Sequence, residues 1–145
     1  MEMKGLFSMV KQVFISGPIL GMEDNQDYYR NIITSISKKL GFEVIDPWKR
    51  EKFLYEENVR CGRGVCEKYG FVQRDLDDAN RCDVMVVYLP MLSAGACMEM
   101  FYAKRRGKVV IVVSDMEQLS PWVKVHCDVI LKNFDALEEV LNRYK

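Results

Sequence analysis

The sequence predicts an α/β fold, a doubly wound five-stranded parallel sheet with helices on both faces. Short apolar runs closed by turn residues alternate with longer segments whose apolar residues recur at helical spacing. The runs at 83–89 and 108–113 are almost continuously apolar, as strands covered on both faces are. Strands separated by helices pair in parallel, and right-handed crossovers lay those helices over both faces.

Gln12–Ser16 reads as the opening strand, ended by Gly17-Pro18. Asp27–Leu40 carries Tyr28, Ile32, Ile33, Ile36 and Leu40 at helical spacing, with Gly41 as the stop signal. Phe42–Ile45 is the second strand. From Asp46 to about Glu67 the periodicity breaks down into charged and aromatic residues, which reads as a loop with some helix, a candidate lid. Helical spacing returns over Tyr69–Arg81 through Phe71, Val72, Leu76 and Ala79, and Asp83–Leu89 is the strand at the sheet centre. Pro90–Gly95 turns into a helix over Ala96–Arg106, stopped by Gly107. Lys108–Val113 is a further strand, Asp128–Leu131 a weaker fifth one, and Phe134–Tyr144 a closing amphipathic helix. The arrangement is of the flavodoxin or Rossmann-like kind.

The chain has 145 residues, enough for a single domain spanning 1–145 with a full hydrophobic core. Lys plus Arg and Asp plus Glu both number 21, so no basic excess points to nucleic acid or to an anionic membrane. No apolar run approaches the roughly 20 residues of a membrane span, and Met1–Lys11 is too short and mixed for a secretory signal, so a cytoplasmic location is expected. The five cysteines lack CxxC spacing and are expected as free thiols. A zinc set of Cys61, Cys66, His126 and Cys127 fits no common pattern, and no metal is expected.

In open parallel sheets, ligands sit beyond the carboxyl ends of the strands where the strand order reverses. Two segments occupy such positions: Ser16-Gly17-Pro18-Ile19-Leu20-Gly21 after the first strand, and Pro90-Met91-Leu92-Ser93-Ala94-Gly95 after the central one, leading to Glu99. These turns are expected to face each other. Ser93 and Gly95 at a helix start can cradle an anion with free backbone N–H groups and a hydroxyl, or simply cap the helix and ease the turn. Glu99 alone reads equally as a solvated helix carboxylate, and so does Asp75 in the acidic run D-L-D-D. Asp83 is expected to shape the entry to the central strand.

Four landmarks together, V-F-I-S-G-P-I at Val13–Ile19, Q-R-D-L at Gln73–Leu76, D-V-M-V-V at Asp83–Val87 and S-A-G-A-C-M-E at Ser93–Glu99, resemble the nucleoside 2-deoxyribosyltransferase superfamily. The interval from Asp75 to Glu99 is similar to that of its 2'-deoxynucleoside 5'-phosphate N-hydrolase branch. The resemblance implies that Glu99 attacks the anomeric carbon to give a covalent glycosyl-enzyme and that Asp75 helps protonate the departing base, with no cofactor. It also implies substrate contacts from Phe14, Ser16, Gly17, Pro18, Ile19, Gly21, Ser93, Gly95 and Ser120, the last reaching the phosphate of a neighbouring subunit in a homodimer with shared sites. Ser93 stands where transferases acting on free nucleosides carry an aspartate; a serine can donate to a 5'-phosphate that an aspartate would repel.

The sequence departs from the family pattern at two positions. Phe14 replaces a tyrosine, and Leu20 lies where the N-hydrolases place an arginine. Lys49, Arg50, Arg60 or Arg63 could supply the missing charge or simply be solvated, and Trp48, Phe53 and Tyr55 could stack on a base or pack the core. Base exchange on the same intermediate, a non-catalytic nucleotide-sensing module and a flavodoxin-like electron carrier are the rival readings.

Overall fold

The computed structural model describes residues 10–56 and 70–145. Five strands, β1 (Gln12–Ser16), β2 (Glu43–Ile45), β3 (Val84–Tyr88), β4 (Val109–Val113) and β5 (Val129–Leu131), form one sheet. Its order is β2-β1-β3-β4-β5 and every neighbouring pair is parallel. The helices are α1 (Gln26–Lys39), α2 (Trp48–Glu56), α3 (Gly70–Arg81), α4 (Ala94–Arg105), α5 (Pro121–Val125) and α6 (Leu137–Asn142). The chain leaves β1 outwards to β2 and then returns across it to β3, so the order reverses between β1 and β3. A ligand is expected to bind at that reversal.

Side-chain alternation along the strands accounts for the continuous apolar runs. Phe14, Met85, Val87, Val110 and Val112 point to one face, where Ala79 and Cys82 around α3, Ala96, Met100 and Ala103 of α4, and Val123 of α5 cover them. Val13, Ile15, Val84, Val86, Ile111 and Val113 point to the other, under Tyr29 and Ile33 of α1 and Leu137, Val140 and Leu141 of α6. A strand with helices on both sides has no wet face, so polar alternation is lost.

Carboxylates tie the strand entries together. Asp83, just before β3, accepts a 2.8 Å hydrogen bond from the Gln12 backbone N–H, which is the strand-entry role expected of it. Asp128, before β5, accepts from the Val110 N–H at 2.8 Å and pairs with Lys104 at 2.7 Å.

Some element bounds differ from the sequence expectation. Helix α4 starts at Ala94 rather than Ala96, because Ser93 caps it and accepts the Ala96 N–H. Helix α6 is confined to Leu137–Asn142, and α5 was not anticipated although Ser120-Pro121 supplies a cap followed by proline at its first turn. Trp48–Glu56 of the expected loop is helical. Residues 57–69, with Arg60, Arg63, Cys61 and Cys66, lie outside the described residues, as do the side chains of Phe53 and Tyr55. No helix among the described residues is long and apolar enough to cross a membrane.

Candidate active site

Where β1 ends, the Ser16 hydroxyl donates a 2.7 Å hydrogen bond to Glu99 Oε1 on α4. Adjacent strands bring this about: Ser16 is in register with Val87, and α4 follows β3 through the turn at 90–93. The two turns meet as expected, since a Cβ on Gly21 would stand 3.5 Å from the Met91 methyl. Gly21 also needs its glycine for a φ of +84°.

Burial pushes the Glu99 carboxyl up to about 7, helped by the charge of Asp75, while the Ser16 hydrogen bond and the Arg30 cation act to lower it. Asp75 and Glu99 are thus near enough to feel each other's charge, although they come from different helices. Asp75 is buried and held above the ordinary carboxylate range, first by burial, with Glu51 and Arg50 opposing the rise. Asp78 is buried too, whereas Asp77 is exposed. The acidic run therefore turns two of its carboxylates inwards rather than solvating them all. Arg50 explains how: its Nη2 lies 2.9 Å from Asp75 Oδ1 and 2.9 Å from Asp78 Oδ2.

Within electrostatic reach of Glu99 lies a second polar group. Arg30 of α1 is buried and paired with Asp46 at 2.6 Å, while its Nε donates to Gln26 Oε1 at 2.8 Å. Tyr29 donates to the same Gln26 oxygen at 2.9 Å, and the Gln26 amide donates to Pro18 O at 2.8 Å. This network fixes the 16–21 turn from beneath. It also explains Gly17, where a Cβ would fall 2.6 Å from the Tyr29 hydroxyl. The spacing of Gln26 and Arg30, one helical turn apart, and the position of Asp46 directly after β2 were the signals available in the sequence.

The other expected contact residues divide between the site and its surroundings. Gly17 and Pro18 are buried in the turn, Ile19 is half-buried, and Gly21 is exposed. Ser93 Oγ accepts the Ala96 N–H at 3.2 Å, so the capping alternative holds for its lone pair while its proton stays free to donate. The space over Gly95 is open, with no atom within 4 Å of a built Cβ. Phe14 is fully buried in the core and offers no hydroxyl to Glu99. Trp48 is likewise buried, which favours core packing over base stacking. Ser120 caps α5 and lines an apolar groove of about 640 Å³ with Leu76, Leu92, Met98, Trp122 and His126. Among the described residues no group of His, Cys, Asp and Glu side chains could hold a metal ion.

Fold and site define a doubly wound α/β protein with a carboxylate held at its switch point. The chain belongs to the nucleoside 2-deoxyribosyltransferase family, whose profile matches residues 13–140. The family takes its name from enzymes, the nucleoside 2-deoxyribosyltransferases. Among solved structures, the 2-deoxyribosyltransferase of Bacillus psychrosaccharolyticus superposes with a TM-score of 0.64 at 14% identity, over 88% of this chain and 90% of that one. The CMP N-glycosidase BcmB of Clostridium botulinum gives 0.58 at 18% identity, over 93% and 100%. A conserved protein of Enterococcus faecalis V583 gives 0.61 at 16%, over 92% and 99%. At these identities the likeness is one of fold. No curated protein sequence matches the chain.

Removing the Ser16 donor leaves the half-buried Glu99 with one stabilising contact fewer for its charged form. In Ser16→Ala the Glu99 carboxyl is expected to titrate roughly one pH unit higher, the worth of a hydrogen bond to a charged group. Carbon-detected NMR titration of the glutamate side chains reads this directly. An unchanged Glu99 midpoint would show that the hydroxyl does not hold the charged carboxylate.

Proposed function

We propose that the protein hydrolyses the N-glycosidic bond of a nucleoside 5'-monophosphate, releasing free base and (deoxy)ribose 5-phosphate. The observation that carries this reading is the Glu99 carboxylate, oriented by Ser16 at the switch point and within electrostatic reach of the buried Asp75. Glycosidic C–N cleavage passes through an oxocarbenium-like state, so a carboxylate must meet the positive carbon while an acid neutralises the departing nitrogen. Glu99 takes the first role as nucleophile and Asp75 the second as acid. Water then opens the glycosyl ester.

The 16–21 turn and the Ser93–Gly95 turn hold the sugar and its phosphate, with the free Ser93 proton and the open space over Gly95 on the phosphate side. That a fold neighbour is named a CMP N-glycosidase agrees with a monophosphate substrate. Incubation with the eight common ribo- and deoxyribonucleoside monophosphates, with and without an added free base, is the test. Free base and sugar phosphate support hydrolysis, a new nucleotide supports exchange, and tight binding without turnover supports a sensor.

The protein acts as a homodimer in which Ser120 serves the neighbouring site. Supporting this, Met98 and Trp122 beside the apolar groove are 70% and 76% exposed, and Leu92, Phe101 and Val125 are exposed with them. A continuous apolar face of this kind is what a partner covers. Sedimentation velocity is expected to return a dimer that Trp122→Glu weakens; a wild-type monomer would exclude shared sites.

A further inference from the structure

The proposed reaction uses Glu99 and Asp75 but leaves a third carboxyl in the same site idle. Glu51 of α2 is 0% exposed, and neither of its oxygens receives a hydrogen bond from an N–H or O–H donor. Arg50 Nη2 stands 3.5 Å from Glu51 Oε2, further than from Asp75 and Asp78, both at 2.9 Å. One guanidinium cannot neutralise three buried carboxylates, and among the described residues the other cation paired with this cluster, Arg81, meets Asp78. A carboxylate buried without donors is costly, and keeping its proton removes that cost.

We propose that Glu51 and Asp75 form one acid–base unit sharing a single proton, with Arg50 as its clamp, and that this proton is the one delivered to the departing base nitrogen. This rests on the hydrolytic reading. Glu51 is pushed up to about 9 by burial, then by the neighbouring Asp75 carboxyl; Arg50 opposes this and Glu99 adds to it. Among the described residues, the charged groups that act on it include Arg50 on its own helix, Asp75 on α3 and Glu99 on α4, with Asp78 on the same Arg50 nitrogen. Among the described residues no N–H or O–H donor reaches either Glu51 oxygen, so its retained proton is the one that bridges to Asp75.

The step balances. The C1'–N bond breaks with its electron pair going to the base nitrogen, which takes the shared proton, while a Glu99 oxygen bonds to C1'. Both carboxyls of the pair are then ionised. Water next attacks C1', the bond to Glu99 breaks, and the proton shed by the water returns to the pair. Asp75 touches the substrate; Glu51 is a positioning residue that acts through it.

Glu51→Gln tests this, because the amide can still donate to Asp75 but carries no transferable proton. The alkaline limb of kcat is expected to move to lower pH and kcat near neutrality to fall about tenfold or more, with KM little changed. On p-nitrophenyl riboside 5-phosphate, whose leaving group needs no proton, the variant should match the wild type. An alkaline limb that stays in place overturns the proposal. A readout independent of turnover is the infrared carbonyl band of a protonated carboxyl in Glu99→Gln protein, expected at neutral pH and lost above about pH 9. Absence of that band at neutral pH overturns the proposal even if nucleotides are hydrolysed. The band without hydrolysis of any monophosphate instead defeats the reading of the reaction, and with it the catalytic use of the pair.

Discussion

Glu99→Ala is expected to lower base release by a factor on the order of 10⁴ or more, with little change in KM. The effect is this large because the substitution deletes the atom that bonds to C1'. Glu99→Gln should lose nearly as much while keeping an oxygen for the Ser16 hydroxyl. Neither loss should come from unfolding, and the pH dependence makes this checkable. A carboxyl raised from its ordinary value to about 7 in the folded protein contributes stability below its unfolded pKa and loses it as pH rises through 7. Above pH 7 the half-buried negative charge is a burden, so Glu99→Gln should melt no lower than the wild type there. The same raised value places the acid limb of wild-type activity near pH 7, since only ionised Glu99 can attack. Rates measured from about pH 5 to 9 would locate that limb.

Asp75→Asn should cost about 10²- to 10⁴-fold in kcat, the usual worth of general acid catalysis. The loss should depend on the base: severe where the departing nitrogen needs a proton, slight where the leaving group is stable as an anion. Arg50 would retain Asp78 at 2.9 Å, so α2 should stay docked on α3. A uniform loss across good and poor leaving groups would make Asp75 a structural residue.

The periodicity that defines the strands was legible because burial on both faces leaves an uninterrupted apolar run. Asp83 was legible too, as a lone carboxylate at a strand entry. Ser16 was read as a contact for substrate, yet in the structure its hydroxyl is given to Glu99, which no spacing rule reveals. Glu51 was illegible for a different reason. Its helix begins W-K-R-E-K, where one acidic residue among cations reads as solvated, whereas in the fold Arg50 ties this helix to Asp75 and Asp78 of α3 and Glu51 is buried beside them. Arg30 and Asp46 are 16 residues apart, and their positions in a helix and after a strand mark each residue without showing that the two pair. The fold was thus written in hydrophobic pattern, whereas the site was written partly in polar contacts between distant segments.

The central claim is that Glu99 forms a bond to the sugar. A nucleoside 5'-monophosphate carrying fluorine at the 2'-position of its sugar slows breakdown of such a glycosyl ester, because the electron-withdrawing group destabilises the oxocarbenium-like state. Mass spectrometry of protein quenched after mixing with this compound should find the mass of one fluorinated sugar phosphate added per chain and map it to Glu99. Released base with an unmodified Glu99, or an adduct on any other residue, would contradict the account.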